Sequence, residues 1–125
     1  MNNPPHVLIV EDASQLAVIF EEILTTSGCA VSIAIDGAVV MSRLEVEAPD
    51  LMLLDMHLPQ VSGLEILQYV RSAPHLTNTR VIAMTGNPLL TATITDSADL
   101  VLIKPFSLSQ LTELVQRLLP RTKTS

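Results

Sequence analysis

A net charge of -6 with only seven Lys and Arg among 125 residues excludes broad nucleic-acid binding, which needs a basic footprint. The length suits one domain over residues 1–125 with an aliphatic core, since 48% of residues are hydrophobic, 2% are aromatic and Trp is absent. A single cysteine, Cys29, rules out an internal disulfide and a multi-cysteine metal site, and no run reaches the roughly 18 apolar residues of a membrane helix.

In chain order, short apolar runs alternate with segments of helical period. The N-terminal MNNPPH lacks the basic and apolar stretches of a secretory leader, so cytoplasm is the expected compartment. His6 to Val10 is predicted as a strand. Residues 13–27 follow as a helix with Leu16, Ile19, Phe20, Ile23 and Leu24 on its apolar stripe, and Gly28 ends it. Ala30 to Ile35 is the second strand and Ala38 to Glu47 a weaker helix. Pro49 and Asp50 break the chain before the third strand, Leu51 to Leu54.

Gly63 to Arg71 is helical, with Leu64, Leu67 and Val70 inward, Ile66 widening the face, and Glu65 and Gln68 toward solvent. Arg80 to Met84 is the fourth strand. Leu89 to Ser97 is expected to be a short helix, because its β-branched residues are mediocre helix formers. Leu100 to Ile103 is the fifth strand. Ser107 to Leu119 forms the closing helix, with Leu108, Leu111, Leu114, Val115 and Leu118 as its stripe and Ser107 with Gln110 as a capping box. Pro120 stops that helix. The core thus covers about 6–119, and 120–125 is a tail or the start of a linker. Strands that are continuous apolar runs fit a parallel sheet covered on both faces, an α/β three-layer domain.

Polar residues sit at the carboxyl ends of four of these strands: Glu11 and Asp12 after the first, Asp55 after the third, Thr85 after the fourth and Lys104 after the fifth. Open parallel sheets bind ligands in the crevice outside those ends. Three crowded carboxylates repel one another, so some should hold their protons to raised pH unless a cation joins them. Mg²⁺ suits them, being hard, oxygen-seeking and usually shared with phosphate. Lys104 offers a positive point charge and Thr85 a hydroxyl, so the set describes a phosphorylatable aspartate with its charge neutralisers. Each residue also has a plainer reading. Asp55 and Thr85 serve as turn residues, Glu11 and Asp12 cap the first helix, and Lys104 is a solvated charge. His57 is either a donor to a bound anion or, the plainer choice, a half-exposed loop histidine. His6 and His75 have no metal-ligand spacing.

These residues carry a pattern. VLIVEDASQ at 7–15, LLDMHLPQVSGLEIL at 53–67, VIAMTGN at 81–87 and LVLIKPFSLSQL at 100–111 together resemble the receiver domain of bacterial two-component response regulators. The resemblance implies a doubly wound, flavodoxin-like five-stranded parallel sheet in the order 2-1-3-4-5. By the same resemblance, Asp55 accepts a phosphoryl group from the phosphohistidine of a histidine kinase or phosphotransfer protein. Asp12 and Asp55 ligate Mg²⁺ directly, Glu11 does so through water, and the main-chain carbonyl of His57 completes the protein ligands. Lys104 contacts the phosphoryl group and precedes a cis bond to Pro105. Thr85 is the switch hydroxyl, and His57 and Asn87 tune the lifetime of the acyl phosphate. The domain catalyses its own Mg²⁺-dependent phosphorylation and dephosphorylation and modulates the binding of a downstream protein.

Two departures bear on the output. Receivers usually carry Tyr or Phe three residues before the lysine, and this chain has Val101. The spacing of 19 between Thr85 and Lys104 is shorter than the usual pattern by about one helical turn. A short, nearly uncharged fourth helix offers an apolar surface for binding or homodimerisation, or is simply truncated. These departures keep open a rival, a protein-binding module with the same fold that signals without phosphorylation. A nucleotide-binding enzyme is disfavoured because EDASQ after the first strand has no glycine. A phosphatase with an aspartyl nucleophile would need a second acid/base carboxylate and a cap, and neither is evident.

Overall fold

The computed structural model of the protein describes residues 3–119. Its strands are β1 (His6–Val10), β2 (Ala30–Ala34), β3 (Leu51–Asp55), β4 (Arg80–Thr85) and β5 (Leu100–Ile103). They are joined by α1 (Ser14–Thr26), α2 (Gly37–Leu44), α3 (Gly63–Ser72) and α4 (Thr91–Ile94), with α5 (Leu108–Leu118) closing the chain. All strand pairs are parallel and the order is β2-β1-β3-β4-β5, as the resemblance implied. The stop at Pro120 and the tail beyond it lie outside the described residues.

Between their polar ends the central strands are apolar, because consecutive side chains point to opposite, equally dry faces. Leu8, Val10, Met52, Leu54, Val81 and Ala83 pack toward Val40, Leu44, Ile66, Leu67 and Val70 of α2 and α3. Val7, Ile9, Leu51, Leu53, Ile82 and Met84 pack toward Ala17, Phe20 and Leu24 of α1 and Leu111 and Val115 of α5. β2 forms one edge of the sheet, is only partly covered, and carries the one polar strand residue of that segment, Ser32.

Local signals explain where the helices start and stop. Gly28 takes φ +95°, donates to the Thr25 carbonyl, and lets Cys29 donate to Leu24, which closes α1 with paired backbone groups. Ser62 and Ser107 accept from the amides of Glu65 and Gln110, so each caps its helix. Two stripe assignments need correction. Ile19 is 40% exposed, and the small Ala17 lies against the sheet in its place; Leu108 is 43% exposed because it lies in the first turn, before α5 settles onto the core. In α3, Ile66 is fully buried and Leu64 only half-buried.

The fourth helix is shorter than the predicted Leu89–Ser97. Pro88–Leu90 forms a 3₁₀ turn and only Thr91–Ile94 is α-helical. The Asn87 side chain accepts from Leu89 N, and the Thr95 hydroxyl bonds back to the Thr91 carbonyl, so side chains compete for backbone groups. Leu89 is 85% exposed, and Ile94 is the buried residue of this helix.

Asp99, one of the two charges in this stretch, ties the segment down. Its carboxylate accepts from Val81 N at 2.7 Å, Arg71 Nη2 at 2.6 Å and Arg80 Nη1 at 3.2 Å. Partial burial alone would raise its proton affinity. The Val81 amide and the two guanidinium groups outweigh that, and the net shift is downward. A depressed folded-state value adds stability at neutral pH that disappears as pH falls through the carboxylate range. Asp99→Ala is therefore expected to cost about 2 kcal/mol in urea unfolding at neutral pH, since it strands a donor and two cations. The difference from the parent protein should shrink in acid.

Candidate functional site

Sheet register, rather than proximity in the chain, assembles the site. Val10 pairs with Leu54, Asp55 with Met84, and Thr85 with Ile103. The strands therefore end at nearly the same level, and Asp55 and Thr85, the last residues of β3 and β4, enter one crevice with Glu11 and Lys104, the residues that follow β1 and β5. Backbone bonds extend that register past the strands: Glu11 N donates to Ala34 O, Met56 N to Met84 O, and Lys104 N to Thr85 O at 2.7 Å. Behind Lys104, the bond to Pro105 is cis and the Phe106 ring stacks on Phe20 of α1, with centroids 6.1 Å apart.

Glu11, Asp12 and Asp55 each bring a carboxylate oxygen to within 4.8 Å of the others. Glu11 and Asp55 are buried, and Asp12 is exposed at the mouth. Lys104 Nζ lies 3.4 Å from Glu11 Oε1 and 3.5 Å from Asp55 Oδ2, so it is a bridging cation and not a solvated charge. The N-cap of α1 is Ala13, and no side chain caps it, so Glu11 and Asp12 are not its cap. The turn readings of Asp55 and Thr85 do hold, alongside their place in the site. Asp55 Oδ1 accepts from His57 N at 2.9 Å, and Thr85 Oγ1 accepts from Asn87 N at 3.0 Å.

Burial and charge crowding both act on Glu11. Burial first, and then the neighbouring Asp55 carboxylate, push its proton affinity up from the ordinary 4.5 to about 7, while the Ala13 amide and Lys104 pull the other way. One lysine is too little for three acids. A hard cation with oxygen ligands relieves the excess, which is the fit that Mg²⁺ chemistry requires.

His57 exceeds its plain reading. It is exposed on the loop after β3, yet its Nε2 is 3.0 Å from the Thr85 hydroxyl. Sequence alone held no signal for this contact, because a histidine two residues past a strand can face either way. Val101 is half-buried against core residues.

A parallel sheet with buried carboxylates, a lysine and a hydroxyl converging at its carboxyl edge defines a cation-assisted phosphoacceptor domain. The chain belongs to the response regulator receiver domain family, whose pattern it matches over residues 7–116. It is 34% identical over 121 residues to the transcriptional regulatory protein TrcR of Mycobacterium tuberculosis, covering 96% of this chain and 47% of TrcR. It is 31% identical to the phosphate regulon regulatory protein PhoB of Rhizobium meliloti, covering 95% and 54% respectively. The chain thus spans about half the length of these curated relatives. Among solved structures it superposes with a TM-score of 0.83, at 25% identity, on response regulator TrrA of Thermotoga maritima in complex with Mg²⁺ and BeF, covering 92% of this chain and 99% of that one. The receiver domain of the sensor histidine kinase PA1611 of Pseudomonas aeruginosa, with magnesium in its active-site cleft, gives 0.82 at 25% identity and covers 93% and 98%.

The chain therefore carries a receiver domain's carboxyl-edge site, with a donor set that fits Mg²⁺ chemistry. No helix among the described residues is long and apolar enough to cross a membrane. Because Glu11 keeps its proton to about pH 7, it must release that proton as the cation binds. Calorimetric titration with Mg²⁺ is therefore expected to show affinity rising as pH climbs through about 7, with proton release that Glu11→Gln removes. In the metal-free protein the sign is opposite. A carboxyl raised above its unfolded value loses stability as pH rises from 4.5 to about 7, so Mg²⁺ should stabilise most on the alkaline side.

Proposed function

We propose that Asp55 accepts phosphoryl from the phosphohistidine of a histidine kinase or phosphotransfer protein, and that the resulting change at Thr85 alters binding of a downstream protein. The observation that carries this reading is the lysine bridge. Lys104 Nζ reaches Asp55 at 3.5 Å and Glu11 at 3.4 Å inside a cluster of three carboxylates. On this reading the chain acts as one receiver unit, with its core at about 6–119.

In the transfer, a carboxylate oxygen of Asp55 forms the new bond to phosphorus while the P–N bond breaks in line, and its electron pair leaves on the imidazole nitrogen. Lys104 offsets charge on the phosphoryl oxygens, and burial keeps that interaction strong. The His57 amide holds one Asp55 oxygen and so fixes the carboxylate plane. Mg²⁺ would be held by Asp12, Asp55, the His57 carbonyl and Glu11, and would supply further charge neutralisation for the phosphoryl oxygens. Water reaching the site past exposed Asp12 attacks phosphorus, the P–O bond to Asp55 breaks, and inorganic phosphate leaves with the carboxylate restored.

A second reading draws on Val101 and the four-residue α4: the domain binds its partner whether or not it is phosphorylated. Amide NMR spectra with Mg²⁺ and beryllofluoride, a stable phosphoryl mimic, separate the two. The switch reading expects shifts at Asp55 and also through Thr85, Asn87 and α4. Shifts confined to residues lining the carboxylate cluster would favour the second reading.

A further inference from the structure

The Thr85 hydroxyl already has partners on the protein. A hydroxyl has one proton and two lone pairs. Thr85 Oγ1 receives the Asn87 amide at 3.0 Å and shares a hydrogen bond with His57 Nε2 at 3.0 Å, while the Asn87 carbonyl at 3.4 Å is a weaker alternative acceptor. Thr85 itself is wholly buried, so the imidazole closes over it from the exposed side. A phosphoryl group on Asp55 would draw the same hydroxyl toward its own oxygens. Phosphoryl oxygens take the hydroxyl proton, so with His57 in the tautomer protonated at Nδ1 the acceptor they displace is Nε2, the side-chain partner free to move.

What the ring rests on strengthens the point. His57 is held by its own amide to Asp55 Oδ1, and so its main chain stays with the phosphoacceptor while its side chain reaches across to β4. The following loop contains Gln60 at φ 70°, the positive-φ non-glycine residue among the described residues, and leads to Gly63, which packs directly on Met56. Position 101 offers no ring that could follow Thr85 inward, because Val101 is a short, stiff side chain packed against the core.

We propose that His57 is a positioning residue whose imidazole latches Thr85 in the unphosphorylated arrangement, and that its release carries the switch to the surface of the β3–α3 loop. This rests on the phosphoacceptor reading above. Side chain and main chain of His57 then have separate duties. The carbonyl belongs to the cation site and survives any substitution, and the imidazole sets how readily Thr85 is surrendered.

Beryllofluoride with Mg²⁺ serves as the probe in a double-mutant cycle. His57→Ala should tighten beryllofluoride binding about threefold to tenfold, the factor set by one net hydrogen bond. In a Thr85→Val background the same change should alter affinity less than about twofold, since no hydroxyl remains to be held. In the wild-type protein, at one fixed pH, the Nε2 resonance of His57 should move on beryllofluoride addition, and that measurement needs no variant to fold. An equal effect of His57→Ala in both backgrounds, no tightening, or an unmoved Nε2 resonance while beryllofluoride binds would overturn the latch and leave the phosphoacceptor reading intact. Failure of wild-type protein to bind beryllofluoride at all would overturn both.

Discussion

Asp55→Asn is expected to abolish acyl phosphate formation entirely while leaving the fold intact. The amide is neutral and a poor nucleophile, yet it has the shape of the carboxylate, and its oxygen can still accept from the His57 amide at 2.9 Å. Removing one of three clustered charges should weaken Mg²⁺ by about tenfold or more. It should also ease the repulsion that keeps Glu11 protonated to about pH 7. The metal-free variant should therefore unfold at the same or a higher temperature than its parent at neutral pH. Mass spectrometry after incubation with Mg²⁺ and acetyl phosphate reads the first effect, and thermal melts read the second. A variant that still gained phosphoryl would move the acceptor elsewhere.

Gly63→Ala is expected to produce the largest loss of stability among small substitutions near the site. A Cβ there would lie 2.5 Å from Met56 Cα and 3.0 Å from Met56 O, and these are main-chain atoms that cannot rotate away. Met56 N is bonded to Met84 O, which pins that backbone to β4. Overpacking against fixed backbone costs about 2–3 kcal/mol, or roughly 10 °C in melting temperature for a domain of this size. Since Met56 follows Asp55, the clash should also displace the acceptor and weaken beryllofluoride binding. A melting temperature within about 2 °C of the parent would show that the loop absorbs the methyl group.

The strands and the site were legible for the same reason. A strand buried on both faces must be apolar along its length, so the first polar residue after each run marks where the sheet ends and the crevice begins. Glu11, Asp55, Thr85 and Lys104 all follow that rule, and the observed register brings them together. The strand order came from resemblance, because hydrophobic runs carry no information about which neighbour they pair with. Helix faces were read less well. Alanine carries little hydropathic weight, so an apolar pattern favours Ile19 over Ala17, although Ala17 is the buried one. The fourth helix is shorter than its pattern implies, because competition from threonine hydroxyls and Asn87 depends on side-chain rotamers. The contact between His57 and Thr85 was invisible for a similar reason: 28 residues separate them, and only the fold makes them neighbours.

The most direct test of the account is to phosphorylate the wild-type protein with Mg²⁺ and acetyl phosphate, trap the acyl phosphate by borohydride reduction, and sequence the modified peptide. A single modification is expected, at Asp55, and it should vanish when EDTA removes the metal. Modification at another residue, or none at all in protein that binds Mg²⁺, would contradict it.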